Sequence, residues 1–346
     1  MQQGTKIRSR GVEVSRLGLG TVPLAGFGHE TSYETFEKVV MTAYDAGYRY
    51  FDTAPMYGSG RAELFLGQVL RTNGIRDKVT IATKVGRLLR RKSDTVQQQK
   101  FLYGGGIVWQ GGFPFVQGFD YSYDGIMRSV EDSFQRFGLD RFDVLHVHDI
   151  GRVTHGDDLN RTYWKQLEDG GLKALDEIRS AGAAGAIGIG VNETEAVLDM
   201  AKAFDLDCCS LAGRYSLLNH EPLDTFFPEM ERRNIAVIAA GVFNSGILGG
   251  GVRGQTRTFD YMEAPAGIID RVSRIEAVCA RHDVLLPEAA LQFSAAHPVV
   301  ISLLLGCKNE DEVRQNAAAL ARKAPAAFWQ DLRAEGLIPA NAPVPA

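Results

Sequence analysis

Cysteine is scarce in this 346-residue chain, and its four thiols, Cys208, Cys209, Cys279 and Cys307, show no Cys-x-x-Cys spacing. No disulfide framework is indicated, and the expected setting is a reducing cytoplasm. No charge sign dominates: 38 Lys plus Arg stand against 42 Asp plus Glu, a net charge of −4. A nucleic-acid footprint is therefore not expected, nor is a basic run for an anionic membrane surface. No apolar stretch approaches the ~20 residues of a membrane span. The opening MQQGTKIRSRG has no apolar core after its basic residues, so no secretory leader is expected. What is present is 45% hydrophobic and 23% charged, which argues against disorder, collagen and coiled coil. This length is ample for a large core, and the expectation is one domain over residues 1–346.

Short apolar runs alternate with amphipathic segments. Strands are predicted at Leu17–Thr21, Tyr48–Asp52, Val79–Lys84, Val144–Asp149, Ala186–Val191, Cys208–Ala212, Ala236–Ala240 and Val299–Leu305. Helices are predicted at Tyr33–Ala46, Arg61–Arg71, Tyr123–Phe137, Gly171–Ala181, Thr194–Phe204, Pro222–Arg233, Ala266–His282, Pro287–Ala296 and Asp311–Arg322. Gly47 suits the left-handed position after the first helix, and Pro287 suits a first helical turn. Eight strands, each followed by a helix, predict a closed α/β architecture, the (β/α)8 TIM barrel. The alternative is an open doubly wound sheet. Its dinucleotide form is disfavoured because Gly18-Leu19-Gly20-Thr21-Val22-Pro23 does not match G-x-G-x-x-G and opens no helix.

Ahead of the barrel, Lys6–Ser9 and Glu13–Ser15 flank Gly11 and predict an N-terminal β-hairpin closing the barrel bottom. A long connection follows the third strand, residues 86–122. It contains Gly104-Gly105-Gly106 and Gly111-Gly112 with Phe101, Tyr103, Trp109, Phe113, Phe115, Phe119 and Tyr121. Loops of this length are usually functional or disordered, and this aromatic density predicts a substrate lid. Residues 339–346 read as a flexible tail.

Barrel enzymes carry their reactive groups at the C-terminal ends of the strands. Here those ends offer Asp52, with Tyr57 in the following loop, then Lys84 and His148. Taken singly, each has an ordinary explanation. Asp52 suits a turn, Lys84 a stem with its head in water, Tyr57 a packed ring and His148 a hydrogen-bonded structural histidine. On three successive strand tops they form a set. A phenol ordinarily ionises near pH ~10. A neighbouring ammonium lowers that value, and a buried carboxylate neutralises the ammonium. Such a phenol exchanges a proton with a substrate oxygen, to which His148 donates a hydrogen bond. Nothing in the set supplies electrons, so a cofactor must carry hydride.

The same residues carry a resemblance. Gly47-x-x-x-Phe51-Asp52-Thr53-Ala54-Pro55-x-Tyr57-Gly58, Glu63-x-x-x-Gly67, Thr83-Lys84 and Val147-His148, with Leu17-Gly18-Leu19-Gly20-Thr21, resemble the aldo-keto reductase superfamily from about Val12 to Asn316. The resemblance implies a barrel that binds NAD(P)H in extended form. It implies Tyr57 as the acid/base, tuned by Lys84 and Asp52, with His148 orienting the substrate oxygen. Thr21, Asp52 and Asn192 would meet the cofactor, Asn192 through the nicotinamide carboxamide. The family's strand-six glutamine is Ala212 here and its stacking aromatic is Ala240, so Tyr215 is the candidate for the missing ring. Val242, Phe243, Asn244, Ser245, Gly246 and Leu248 resemble the loop covering the pyrophosphate. Gly306, Lys308, Glu312 and Asn316 resemble the adenosine-binding segment. Glu310, Asp311 and Glu312 crowd that turn, with Lys308 the main nearby cation. Carboxylates repel a 2′-phosphate but accept from a ribose hydroxyl, which favours NAD over NADP. The competing explanation is that these acids face a helix N-terminus.

Leu211–Leu218 and Gly241–Gly246 are similar to a bacterial branch of the superfamily that contains D-threo-aldose 1-dehydrogenases and pyridoxal 4-dehydrogenases. That resemblance implies oxidation of a small sugar or aldehyde in hemiacetal form. Trp109 and Phe113 would be stacking surfaces beside Tyr57 and His148. Two other classes stay open. His146-x-His148 is a metal-hydrolase spacing, but at most Asp52 and Asp149 join His148, too few for a catalytic site, and no metal is expected. A redox-sensing module that binds cofactor with little turnover would keep the same residues.

Overall fold

The computed structural model describes residues 5–7, 10–92 and 109–345. Within them the strands are β1 (Thr5–Ile7), β2 (Val12–Val14), β3 (Leu17–Gly20), β4 (Tyr50–Asp52), β5 (Thr80–Val85), β6 (Arg87–Arg91) and β7 (Phe115–Phe119). They continue as β8 (Phe142–His148), β9 (Ala184–Val191), β10 (Cys208–Ala212), β11 (Ala236–Ala240), β12 (Thr258–Phe259), β13 (Met262–Glu263) and β14 (Val300–Gly306). Eight of them close a parallel barrel in the order β10-β11-β14-β3-β4-β5-β8-β9. The expected (β/α)8 fold is the observed one.

Side chains alternate across each stave. Phe51, Ile81, Leu145 and Val147 face out and pack against the helices. Tyr50, Ala82 and Val144 face in. The same alternation carried upward turns Asp52, Lys84, His146 and His148 inward. The register pairs Asp52 with Ala82, and Lys84 with His146. This positions the site: four polar residues share one interior face because each lies an even number of residues above an apolar plug.

At the other end β1 and β2 form the expected hairpin, Thr5 opposite Val14. Ile7 and Val14 complete the interior cluster with Tyr50, Val144 and Ala186. Arg10 ties the hairpin to Asp207 and Asp205 at 2.8 and 2.6 Å. Ser9, in the first predicted arm, lies outside the described residues.

Four features depart from expectation. A helix at Arg152–Gln166, running through Leu167–Gly171 into Leu172–Ser180, precedes the β9 stave. Its first segment is strongly polar, buries only His155, and kinks at Gly156, φ +66°, so it shows little apolar periodicity. A last helix, Ala326–Ala334, buries Phe328, Trp329 and Leu332. In the long connection, β6 and β7 pair antiparallel, Arg87 opposite Phe119, and Phe27 bridges Trp109. Phe101, Tyr103 and Gly104–Gly106 lie outside the described residues. Finally, the predicted flexible tail is packed through residue 345: Ala342 is buried and its carbonyl accepts from Arg333 at 2.8 Å. Among the described residues no helix is long and apolar enough to cross a membrane.

Candidate active site at the barrel mouth

Lys84 is the hub. Its ammonium donates to Asp52 Oδ1 at 2.5 Å and to the Thr53 carbonyl at 2.8 Å. Its charge also acts on the Tyr57 phenol, and Nζ lies 4.9 Å from the centroid of that ring. Asp52 and Lys84 are almost fully buried. The structure thus joins the four predicted catalytic residues at one end of the barrel. Tyr57 stands edge-on to His148, ring centroids 6.1 Å apart, and 6.0 Å from Trp109.

Backbone conformation holds Tyr57 in place. Gly58, Ser59 and Gly60 all have positive φ, at 62°, 53° and 99°. A Cβ on Gly58 would come within 2.8 Å of the Ala25 carbonyl oxygen. Gly58 in turn accepts from the Phe113 amide at 3.0 Å, which seats the insertion beside Tyr57.

The electrostatics correct one expectation. Burial raises the Tyr57 phenol to about 12, outweighing the opposite pull of Lys84. The resting group is a neutral phenol rather than one of lowered pKa. Burial works against the Lys84 ammonium, but the Asp52 charge and Tyr57 raise its pKa and keep it protonated. Burial raises the Asp52 carboxyl, with Lys84 pulling the other way. His148 is driven well below its ordinary value by burial and then by the charges of Arg87 and Lys84. It is a neutral imidazole with one hydrogen bond to give. Its Nδ1 has no hydrogen-bond partner among the described residues, and its Nε2 stands 3.5 Å from Asp149 Oδ2.

His146 lies one pleat below, its Nε2 3.5 Å from the Tyr50 hydroxyl. A Cβ on Gly188 would fall 2.4 Å from His146 Nδ1, which is why β9 carries glycine opposite this ring. Burial and Lys84 lower His146 to about 3. Among the described residues no three His, Cys, Asp or Glu side chains gather to hold a metal.

The cofactor candidates divide. Thr21 is buried and donates to Thr53 Oγ1 at 2.8 Å, bracing the loop that carries Tyr57. Asn192 donates to the Ala212 carbonyl at 3.4 Å and bonds the Tyr261 phenol. Beside it β10 and β11 end in Ala212 and Ala240, and Gly213 donates to the Ala240 carbonyl at 2.9 Å. That floor of small residues and backbone, next to a side-chain amide, fits a planar carboxamide-bearing ring. Tyr215 does not provide a stacking face. Its ring is buried between Phe227 and Phe293, at centroid distances of 4.7 and 5.4 Å, in the layer behind the barrel.

In the predicted pyrophosphate loop, Val242, Asn244 and Leu248 are buried. Asn244 Oδ1 accepts from Ser216, so these three shape the turn from within. Phe243, Ser245 and Gly246 remain partly exposed. In the adenosine segment, Gly306 and Lys308 are exposed. Glu312 accepts from the Lys308 amide at 2.8 Å, and its own amide donates to Asn309 at 2.9 Å. This carboxylate is used in capping its helix. Asn316 is turned inward, donating to Cys307 Sγ at 3.4 Å.

Sequence reasoning missed three residues of the mouth as site residues. Arg87 pairs with Asp149, the residue after His148. Asp149 closes the predicted fourth stave and Arg87 lies three residues past the predicted end of the third, a signal that was available. Tyr261 comes from the β12–β13 hairpin, which is seated on Ser245 by the Tyr261 amide at 2.9 Å and by Thr258 Oγ1 at 2.6 Å. Nothing in the sequence marks that hairpin.

A sequence model of the aldo/keto reductase family matches residues 16–335. The chain is 44% identical over 331 residues to a pyridoxal 4-dehydrogenase of Microbacterium luteolum, covering 95% of this chain and 96% of the relative. It is 34% identical over 333 residues to a D-threo-aldose 1-dehydrogenase of a Pseudomonas species, again covering 95% and 96%. An aldo-keto reductase of Bacillus halodurans, solved in its holo form, superposes with a TM-score of 0.73 at 22% identity, over 99% of this chain and 98% of that one. A glycerol dehydrogenase of Gluconobacter oxydans superposes with a TM-score of 0.74 at 18% identity, over 99% and 97%. These two likenesses concern the fold.

Proposed function

The chain belongs to the aldo/keto reductase family and is an NAD(P)-dependent oxidoreductase, and from that premise we propose that it oxidises the C1 hydroxyl of an aldose hemiacetal to the lactone, with NAD. The observation that carries this reading is the Lys84 ammonium, bonded to Asp52 and 4.9 Å from the Tyr57 ring centroid, inside the barrel mouth. The name of the Pseudomonas relative supports an aldose. The 44% identity to the Microbacterium enzyme favours a second reading, pyridoxal in its hemiacetal form. Both readings place a cyclic hemiacetal on Tyr57.

Asn192, Ser245, Gly306 and Lys308 would hold the dinucleotide, and the bound nicotinamide supplies the hydride acceptor. The chain's own residues handle the proton. Tyr57 takes the hydroxyl proton of the substrate, and Lys84 stabilises the phenolate that must exist before that transfer. His148, as a neutral imidazole, donates to the same substrate oxygen and fixes its position. In the reverse direction Tyr57 returns the proton to a carbonyl oxygen. Trp109, beside Tyr57, supplies an apolar wall for a ring. The Phe113 amide seats that wall.

The pH profile follows from the raised phenol. Oxidation needs phenolate, whose fraction rises tenfold per pH unit below about 12. The expected oxidative kcat/KM climbs with a slope of about 1 between pH ~7 and ~10, while reduction, which uses the phenol, stays flat. A flat oxidative profile would remove Tyr57 as the titrating base.

The assigning experiment is a panel of L-fucose, L-galactose, D-arabinose, pyridoxal and simple aldehydes with NAD and NADP, followed at the nicotinamide absorbance. Turnover of the sugars with NAD is expected. Strong preference for NADP would overturn the cofactor assignment. Tight cofactor binding without turnover of any member would instead support a redox-sensing role.

A further inference from the structure

A buried ion pair lies beside the catalytic set, between Arg87 at the root of the insertion and Asp149 on top of β8. Removing two charges from water is costly, and an apolar pair of similar shape would anchor the hairpin at least as well. The pair is also asymmetric. Arg87 is enclosed: its guanidinium lies 4.4 Å over the Phe119 ring, and Nη1 donates to Met56 Sδ at 2.7 Å and to Gln117 at 3.2 Å. Asp149 keeps an edge open, with its side chain 12% exposed against 2% for Arg87. Its backbone has φ +52°, an uncommon conformation for a non-glycine residue. It sets the carboxylate 3.5 Å from His148 Nε2. The Asp149 charge reaches the phenols of both Tyr57 and Tyr261. The open edge therefore borders the space in which the substrate sits.

We propose that Asp149, held by Arg87, is a specificity residue that accepts a hydrogen bond from the hydroxyl on the carbon next to the reacting one, the C2 hydroxyl of an aldose. This rests on the hemiacetal reading above and narrows it. A carboxylate is an acceptor only, so its partner must be a donor. Tyr57 and His148 address the oxygen on the reacting carbon. Oxygens on adjoining carbons stand about a hydrogen-bond length apart, comparable with the 3.5 Å between His148 Nε2 and Asp149 Oδ2, so a group addressed by His148 brings the next oxygen within reach of Asp149. A hydroxyl there is bound, whereas in pyridoxal the adjoining atom is a ring carbon without oxygen, which offers Asp149 no donor.

The test is the ratio of kcat/KM for L-fucose over 2-deoxy-L-fucose, with NAD. A charge-assisted hydrogen bond predicts a wild-type ratio of about tenfold or more. Asp149→Ala is expected to bring it within about twofold. Because that variant leaves Arg87 buried alone, the double variant Arg87→Met/Asp149→Ala, with both charges gone, is the second arm, and its folding is checked by thermal melting. It too should lose the preference. A purely anchoring ion pair would lower both sugars together and leave the ratio intact, which overturns the proposal. Equal wild-type rates on the two sugars also overturn it. Turnover of pyridoxal with none of L-fucose defeats this inference while sparing the hemiacetal reading; no turnover of any hemiacetal defeats both.

Discussion

Replacing Tyr57 by phenylalanine is expected to lower kcat by about 10²–10⁴-fold in both directions, with cofactor Kd changed by no more than about twofold. The substitution removes one oxygen and keeps the ring. That ring is what packs against Trp109 and stands edge-on to His148, so the mouth keeps its shape. Lys84 keeps its bonds to Asp52 and to the Thr53 carbonyl, so no buried charge is stranded. Asn192 and the Ser245 loop belong to other staves and are not touched. The loss therefore falls on proton transfer alone. Steady-state rates in both directions and a fluorescence titration of the cofactor separate chemistry from binding. Wild-type turnover in this variant would mean that the phenol is not the acid/base, and His148 would be the next group to examine.

Much of this arrangement was legible because it depends on period and punctuation. Each stave is a short apolar run whose neighbours on one face are two residues apart, so placing Phe51 and Ile81 outward fixes Asp52 and Lys84 inward. Gly47, predicted to end the first helix, does so with φ +93°. The helix at Arg152–Gln166 escaped because a segment that buries only His155 has no apolar stripe to detect. The closing residues escaped for a different reason. Pro339–Ala346 is rich in proline and alanine, which reads as loose chain, yet the carbonyl of Ala342 meets a specific arginine.

Within the site, residue type was a better guide than residue role. Tyr215 is an aromatic one turn past a stave end, and nothing local says whether its ring faces the mouth or the helices. Phe227 and Phe293, distant in sequence, decide that it faces the helices. In sequence Glu312 suits a ribose acceptor, but the Asn309–Glu312 spacing also makes a capping pair, and the structure uses the carboxylate on the Lys308 amide. A lowered Tyr57 pKa follows from one neighbour, Lys84, taken alone. Burial is a property of the whole mouth, and it outweighs Lys84.

Lys84→Met is expected to damage stability and turnover together, and a second substitution should separate them. The ammonium is the counter-ion of a carboxylate 2.5 Å away, with both side chains under 5% exposed. Removing it leaves Asp52 charged and buried, at a cost of about 3–5 kcal/mol, read as a fall in the midpoint of chemical denaturation. The Tyr57 phenol loses the cation that stabilises its ionised form, so kcat is expected to fall by about 10²–10⁴-fold. Adding Asp52→Asn removes the stranded charge. The double variant should recover most of the lost stability, because deleting both members of a buried pair is often close to neutral. It should recover little activity, because no cation then faces Tyr57. Both directions should suffer alike, since reduction leaves Tyr57 as the same phenolate that oxidation requires. Recovery of turnover in the double variant would show that Lys84 serves only to neutralise Asp52, and that the phenol works without it.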